Sequence, residues 1–306
     1  MTLIKPLVSI ITPSYNAGEY IDQTIASVIG QTFQNWEMVI VDDCSTDDTR
    51  DKVKQYAEQL AAAESTRVGI PPLTAADSDL TVKDAYYIQL ENIQRKLEEG
   101  HRIVGKKIGL TSLAMQKLLG VGEPDYGHLL DSMVVENGGS ISIEQVLQPK
   151  VEAEIAFILK EDLRGPNITA LDVLKATDYV VPALEIVDSR ITDWKIQLAD
   201  TVADNASSGF YVLGGKPVKA SEVDLELIGM VFTKNGEIAN TGVGAAALGN
   251  PALCVAWLAN KLSEFDIPLR AGEVILSGAL SAAIEAKKGD SFTARFAHIG
   301  QVSVHF

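Results

Sequence analysis

The chain has 306 residues, 46% of them hydrophobic and 22% charged, with a formal net charge of −15 at pH 7. That is enough for one large domain or two ordinary ones. Residues 1–52 hold three basic and eight acidic side chains, and the remainder is acidic as well, so no cationic footprint exists for nucleic acid or an anionic membrane.

The two cysteines, Cys44 and Cys254, stand far apart, which excludes a zinc cluster and makes a disulfide framework unlike this chain. No apolar run approaches the length of about 18 residues that a membrane helix needs. The N-terminal run lacks the length and cleavage site of a signal segment. A cytoplasmic protein is expected.

The first elements read β-α-β. Val8–Ile11 is a short apolar run ended by Pro13 and the turn-forming Asn16-Ala17-Gly18. Tyr20 to Ile29 has helical spacing, with Ile21 and Ile25 on one face, and Trp36–Val41 is a second strand pattern. Asp42 to Asp47 follows as a polar loop. Short apolar strands alternating with a helix predict parallel pairing.

Val8-Ser9-Ile10-Ile11-Thr12-Pro13-Ser14-Tyr15-Asn16, Ser27-Val28, Gln31-Thr32, Val41-Asp42-Asp43 and Ser45-Thr46-Asp47 resemble the opening of a family 2 glycosyltransferase. The resemblance implies a piece that helps hold the nucleotide of a sugar donor. The downstream Asp-x-Asp of that family has no counterpart in a strand context. Asp77-Ser78-Asp79 has the letters but lies in a loop. Residues 1–52 are therefore read as a fused fragment without transferase activity. Two strands cannot bury their faces alone, so this fragment is expected to be poorly packed or to lean on the larger domain.

From Asp48 the text changes. Thr46 or Asp47 can cap a helix through Lys54, Tyr56 and Leu60 to Ala63. Arg67 to Asp79 reads as a loop. Thr81 caps the next helix with Asp84 at its third position. Val82, Tyr86, Leu90, Ile93 and Leu97 form its apolar stripe, and Gly100 closes it. Lys106 and Lys107 follow a short strand. Paired lysines are ordinarily solvated, and Asp125, in a Pro-flanked loop, is ordinarily a turn residue.

Val151 to Leu159 alternates as a strand. Val151, Ala153, Ile155, Phe157 and Leu159 share one face. Glu152 and Glu154 share the other, about 7 Å apart along the backbone. The pattern alone suits two glutamates facing water. However, Ala156 and Ile158 continue the glutamate face, so it turns apolar at once, and like charges on a covered face repel and lose hydration unless a cation joins them. Val180 to Val187 is a second apolar strand pattern holding one acid, Glu185. Three carboxylates without clustered Cys or His favour a hard ion such as Mg²⁺ or Mn²⁺.

Asp204 to Gly209 reads as a capped turn. The run Thr241 to Gly249 is rich in Gly and Ala but lacks the spacing of a nucleotide loop. Asn250 and Pro251 start a helix through Cys254, Trp257, Leu258 and Leu262. Glu273–Leu276, Phe292–Phe296 and Gln301–Phe306 have strand patterns. His101, His128, His298 and His305 do not cluster, and no Gly-x-Ser-x-Gly is present, which disfavours a Ser-His-Asp hydrolase.

Gln148-Pro149-Lys150-Val151-Glu152-Ala153-Glu154-Ile155-Ala156 resembles the metal-binding strand of the fumarylacetoacetate hydrolase superfamily. Val104–Thr111, Gly122–Gly127, Pro182–Arg190, Asp193–Ile196, Asp200–Ser207 and Gly272–Gly278 extend the resemblance over about 250 residues to the last one. Within the superfamily the chain is most similar to the 2-oxopent-4-enoate (2-hydroxypenta-2,4-dienoate) hydratases. The resemblance implies an α+β fold, a mixed β roll or distorted barrel with flanking helices, over residues 53–306. It implies Glu152, Glu154 and Glu185 as metal ligands, Lys107 and Asp125 as catalytic groups, and Asn205, Ser207 and Ser277 as weaker substrate-binding candidates. It also implies a short 2-hydroxy-dienoate or 2-oxo acid as substrate and a homo-oligomer. The metal-dependent 2-oxo-3-hexenedioate (4-oxalocrotonate) decarboxylase is the nearest alternative, and a C–C bond hydrolase of the superfamily is the third. A sugar-nucleotide binder through residues 1–52 is the reading from another class.

Overall fold

The computed structural model describes residues 8–14, 27–28, 36–42, 49–112, 116–117 and 121–306. The chain divides into two units, Met1–Lys52 and Val53–Phe306. In the first, β1 (Val8–Ser14) and β2 (Trp36–Asp42) pair in parallel, with Val8 opposite Trp36 and Ser14 opposite Asp42. Of the expected helix Tyr20–Ile29, only residues 27–28 are described, and they are helical. The turn at Asn16-Ala17-Gly18, the loop beyond Asp42, Cys44 and the capping candidates Thr46 and Asp47 lie outside the described residues.

Helix α1 (Thr49–Thr66) buries Tyr56, Ala57, Leu60 and Ala63, the stripe that helical periodicity demands. The segment read as a loop from Arg67 to Asp79 contains one helical turn, α2 (Leu73–Ala76), which buries Leu73. Helix α3 (Val82–Glu98) begins as its sequence predicts. The Thr81 hydroxyl accepts from the Asp84 N–H at 3.1 Å, and the Asp84 carboxylate accepts from the Thr81 N–H at 3.2 Å. Gly100, at φ +97°, follows its end.

The large sheet is mixed and curled into a half-barrel flanked by helices. Its strands are β3 (Ile103–Gly109), β4 (Asp125–Leu130), β5 (Val134–Val135), β6 (Lys150–Leu159), β7 (Thr177–Val187) and β8 (Ser208–Leu213), joined later by β11 (Val274–Leu276) and β12 (Ile284–Glu285). The spatial order is β4-β3-β11-β6-β7-β8-β5, with β12 on β6. Strand β11 runs parallel to β3 and antiparallel to β6, so a short late strand bridges two early ones. A second sheet of order β10-β9-β13-β14 contains β9 (Gly229–Lys234), β10 (Glu237–Val243), β13 (Ser291–Phe296) and β14 (Gly300–His305).

Three further helices are α4 (Ala170–Ala176), α5 (Leu198–Ala203) and α6 (Pro251–Leu262). Asn250 caps α6 by accepting from the Ala252 N–H at 2.9 Å.

Strand alternation sorts the two faces of the large sheet. Val151, Ala153, Ile155 and Phe157 of β6 join Ile108, Tyr126, Ile275 and the buried sides of α1, α3 and α6 in the main core. The opposite face carries a smaller apolar cluster of Leu129, Ala156, Val181, Ala183, Tyr211 and Leu276. The glutamates of β6 stand on this second face.

Candidate active site

The pleat of β6 puts Glu152 and Glu154 on one side, and the antiparallel register with β7 sets Glu152 directly opposite Glu185. Glu154 and Glu185 are buried and Glu152 is half-buried. Each offers a carboxylate oxygen, and the three oxygens all lie within 4.8 Å of one another. The Gly278 N–H donates to Glu154 Oε2 at 2.8 Å. Glu154 Oε1 and both oxygens of Glu185 are buried without a hydrogen-bond donor among the described residues.

Burial raises the pKa of all three glutamates. Glu185 and Glu152 push Glu154 further, well above the usual carboxylate range. Glu185 is pushed up to about 7 by burial and by Glu152, against the pull of Lys107. Such a group either takes up protons or shares a cation. An all-oxygen donor set with orphaned oxygens suits a hard divalent ion.

Lys106 and Lys107 lie inside β3, not after it, and both are buried. The surface reading of the pair fails because β3 is paired on both sides, by β4 and β11, and is covered on both faces at these two positions. Alternation separates the two. Lys106 Nζ meets both oxygens of Glu273 at 2.6 and 2.8 Å. Lys107 Nζ lies 3.2 Å from Glu185 Oε1 and donates to the Ala206 carbonyl at 2.9 Å. The contact with Glu185 is an ion pair off hydrogen-bond geometry, so that oxygen still lacks a donor. Burial disfavours the Lys107 ammonium, but Glu185, Asp125, Glu152 and Glu154 outweigh it and hold its pKa above the ordinary lysine value.

Asp125 opens β4 and is buried, where a loop position was expected. It pairs with Gly109 across the β3–β4 ladder, which puts it on the face of Lys107. Its Oδ2 accepts from the Thr201 hydroxyl at 2.8 Å.

The three substrate-binding candidates have their side chains engaged within the protein. Asn205 accepts from the His128 N–H at 2.7 Å and donates to its carbonyl at 2.9 Å. Ser207 Oγ donates to Asp204 Oδ2 at 3.2 Å, and Ser277 Oγ donates to the Ile155 carbonyl at 2.7 Å. Sequence reasoning missed Thr201, Gly109 and the Gly278 amide. Each lies in a segment that carried the family resemblance, but a threonine or glycine bears no signal of its partner. A cavity of about 270 Å³ lined by Leu60, Asn92, Arg190, Ser208 and Phe210 contains none of the five clustered side chains.

The family model described as "Fumarylacetoacetate (FAA) hydrolase C-terminal" matches residues 115–306. Over 253 residues the chain is 49% identical to the 2-keto-4-pentenoate hydratase of Paraburkholderia xenovorans (strain LB400), covering 83% of this chain and 94% of that protein. The chain belongs to the 2-keto-4-pentenoate hydratase family of the fumarylacetoacetate hydrolase superfamily.

This family member is an enzyme of the superfamily's hydratase and decarboxylase type. It is also 51% identical over 216 residues to the 2-hydroxypent-2,4-dienoate hydratase of Pseudomonas putida, covering 70% of this chain and 97% of the relative. Among solved structures it superposes on the 4-oxalocrotonate decarboxylase of Pseudomonas putida G7, complexed with magnesium and adipate. The TM-score is 0.82 at 41% identity, over 84% of this chain and 98% of that one. The same decarboxylase has also been solved with calcium and acetate. The model for glycosyl transferase family 2 matches residues 9–68, a span that reaches past Asp48.

Proposed function

We propose that residues 53–306 form a hydratase that adds water to 2-hydroxypenta-2,4-dienoate and yields 4-hydroxy-2-oxopentanoate. One observation carries this reading: three glutamates converge on a covered sheet face beside a buried lysine and an aspartate with one free oxygen. Glu152, Glu154 and Glu185 would hold Mg²⁺ or Mn²⁺, which when bound supplies a Lewis acid to the substrate's carboxylate and 2-oxygen.

The remaining work falls to the chain itself. Lys107 keeps its charge in a buried setting and stabilises negative charge on the 2-oxygen. Asp125 Oδ1 is free to carry a proton. It takes the proton of the 2-hydroxyl and passes it to C5, an isomerisation that gives the 2-oxo-3-enoate with Asp125 ionised again. One water then adds across C3 and C4, its hydroxyl to C4 and its proton to C3. The apolar cluster of Ala156, Val181, Ala183 and Leu276 on the same face excludes bulk water from the carbon chain.

The decarboxylase reading keeps a specific support, the 0.82 superposition on the 4-oxalocrotonate enzyme. Identity of 49–51% to hydratases favours hydration. One assay separates them: each substrate is incubated with and without Mn²⁺ and the product is identified by mass. Gain of one water by the dienoate, dependent on metal, is the expected result. Release of CO₂ from 2-oxo-3-hexenedioate without hydration of the dienoate would replace the proposal. Glu154→Gln should lose most activity and weaken Mg²⁺ binding in calorimetry; full retention of both would remove Glu154 from the ligand set.

No described helix is long and apolar enough to cross a membrane, and a cytoplasmic homo-oligomer is the proposed state. Residues 1–52 are proposed to be a glycosyltransferase-like fragment without transferase activity. Asp77-Ser78-Asp79 falls outside any strand, and UDP binding in calorimetry would contradict this reading.

A further inference from the structure

The two carboxylate oxygens of Asp125 have different settings. Oδ2 accepts from the Thr201 hydroxyl at 2.8 Å. Oδ1 is buried and has no hydrogen-bond partner among the described residues. Across the ladder stands Gly109. A Cβ built there would lie 2.1 Å from Asp125 Oδ1 and 3.1 Å from Lys107 Nζ. The bare glycine thus lets the free oxygen and the ammonium approach the same point of β3.

Thr201 lies in α5, whose chain continues directly into a turn that grips the site twice more. The Ala206 carbonyl holds Lys107 Nζ at 2.9 Å. The Asn205 amide closes on both backbone groups of His128 in β4. Asn205, Ala206 and Ser207 have φ of 54°, 50° and 52°. Left-handed backbone of this kind persists in non-glycine residues only where surroundings over-determine it. The bonds to Lys107 and β4 supply that constraint. One short segment therefore sets the position of both Lys107 and Asp125.

A threonine hydroxyl has one proton to donate. Thr201 gives it to Oδ2, which fixes the carboxylate's rotation and leaves Oδ1 as the free acceptor. We propose that Thr201 is a positioning residue for the reaction: its hydroxyl holds Asp125 so that Oδ1 faces Lys107 and the substrate. This rests on the reading of Asp125 as the proton-carrying group.

The test compares Thr201→Val, which keeps the shape and removes the hydroxyl, with Thr201→Ser, which keeps the hydroxyl. Both are assayed on 2-hydroxypenta-2,4-dienoate with Mg²⁺ beside Asp125→Asn, and Mg²⁺ affinity is measured by calorimetry. In Thr201→Val, kcat is expected to fall roughly 10–100-fold, the scale of a small misplacement of a reacting group, with KM and Mg²⁺ affinity little changed. Thr201→Ser restores kcat, and adding Thr201→Val to Asp125→Asn lowers it no further. Full kcat in Thr201→Val beside an inactive Asp125→Asn overturns the positioning role and leaves the reading of Asp125 standing. Full kcat in Asp125→Asn overturns both. Equal losses in the Val and Ser variants also overturn the proposal, because the hydroxyl would not be the agent. If Thr201→Val does not fold, Gly109→Ala probes the same geometry by displacing Oδ1, and unchanged kcat there counts against it.

Discussion

Glu185 stands between opposing influences: burial and Glu152 push its pKa up to about 7, while Lys107 pulls it down. Its ordinary value is 4.5. Between those limits the metal-free folded chain keeps a proton that the unfolded chain has released. The folded state then binds more protons than the unfolded one, so its stability falls as pH rises through this window. A divalent ion that replaces the proton reverses the trend. The melting temperature of metal-free protein is expected to drop from pH 5 to pH 8, and the rise in Tm on adding Mg²⁺ to grow over the same range. Glu185→Gln should flatten both slopes. A Mg²⁺ effect on Tm that is equal at pH 5 and pH 8 would contradict this account of the site's electrostatics.

At the scale of elements, β11 and the turn after it link the two halves of the site. β11 sets Leu276 beside both Lys107 of β3 and Ala156 of β6. Gly278 then turns with φ +100° and sends its N–H to Glu154. A Cβ at Gly278 would lie 2.3 Å from Thr111 Oγ1. Gly278→Ala is therefore expected to destabilise the fold by about 1–3 kcal/mol and to weaken Mg²⁺ binding by displacing the amide. Denaturant melts and calorimetry check the two effects. Loss of stability with undiminished Mg²⁺ affinity would show that the amide does not support the ligand oxygen. The strand pairing of β3 with β4 illustrates the same dependence. Gly109 lies opposite Asp125 and Gly127 opposite Lys107; the bare Gly109 leaves room for Lys107 and Asp125 to approach, and the bare Gly127 lets Asn205 pack against β4.

For the whole molecule, the five clustered residues all lie in the unit Val53–Phe306. The hydratase relative from Paraburkholderia xenovorans is matched over 94% of its length by 83% of this chain. Removing residues 1–48, just before α1, should leave kcat and Mg²⁺ affinity within about twofold of the full chain, since no proposed site residue is lost. Steady-state assay and calorimetry on the truncated protein test this, and a drop of tenfold or more would mean that the N-terminal unit supports the site.

Local chemistry was legible where it is written in neighbouring residues. The capping box at Thr81, the Asn250 cap and the alternation of β6 all follow from rules that act over a few positions. The carboxylate pair Glu152 and Glu154 was visible for the same reason, since a strand puts i and i+2 on one face. What the residues around Lys106, Lys107 and Asp125 do was not visible locally. Two lysines in a row look solvated, and an acid after Pro124 looks like a turn. Both are buried because β3 is flanked by β4 and β11, and β11 lies more than 160 positions along the chain. Likewise nothing in Thr201 announces Asp125, 76 residues away. Sequence alone determined which side chains share a face within each element. Tertiary structure decided which faces meet, because strand order and register bring together residues that no short-range pattern relates.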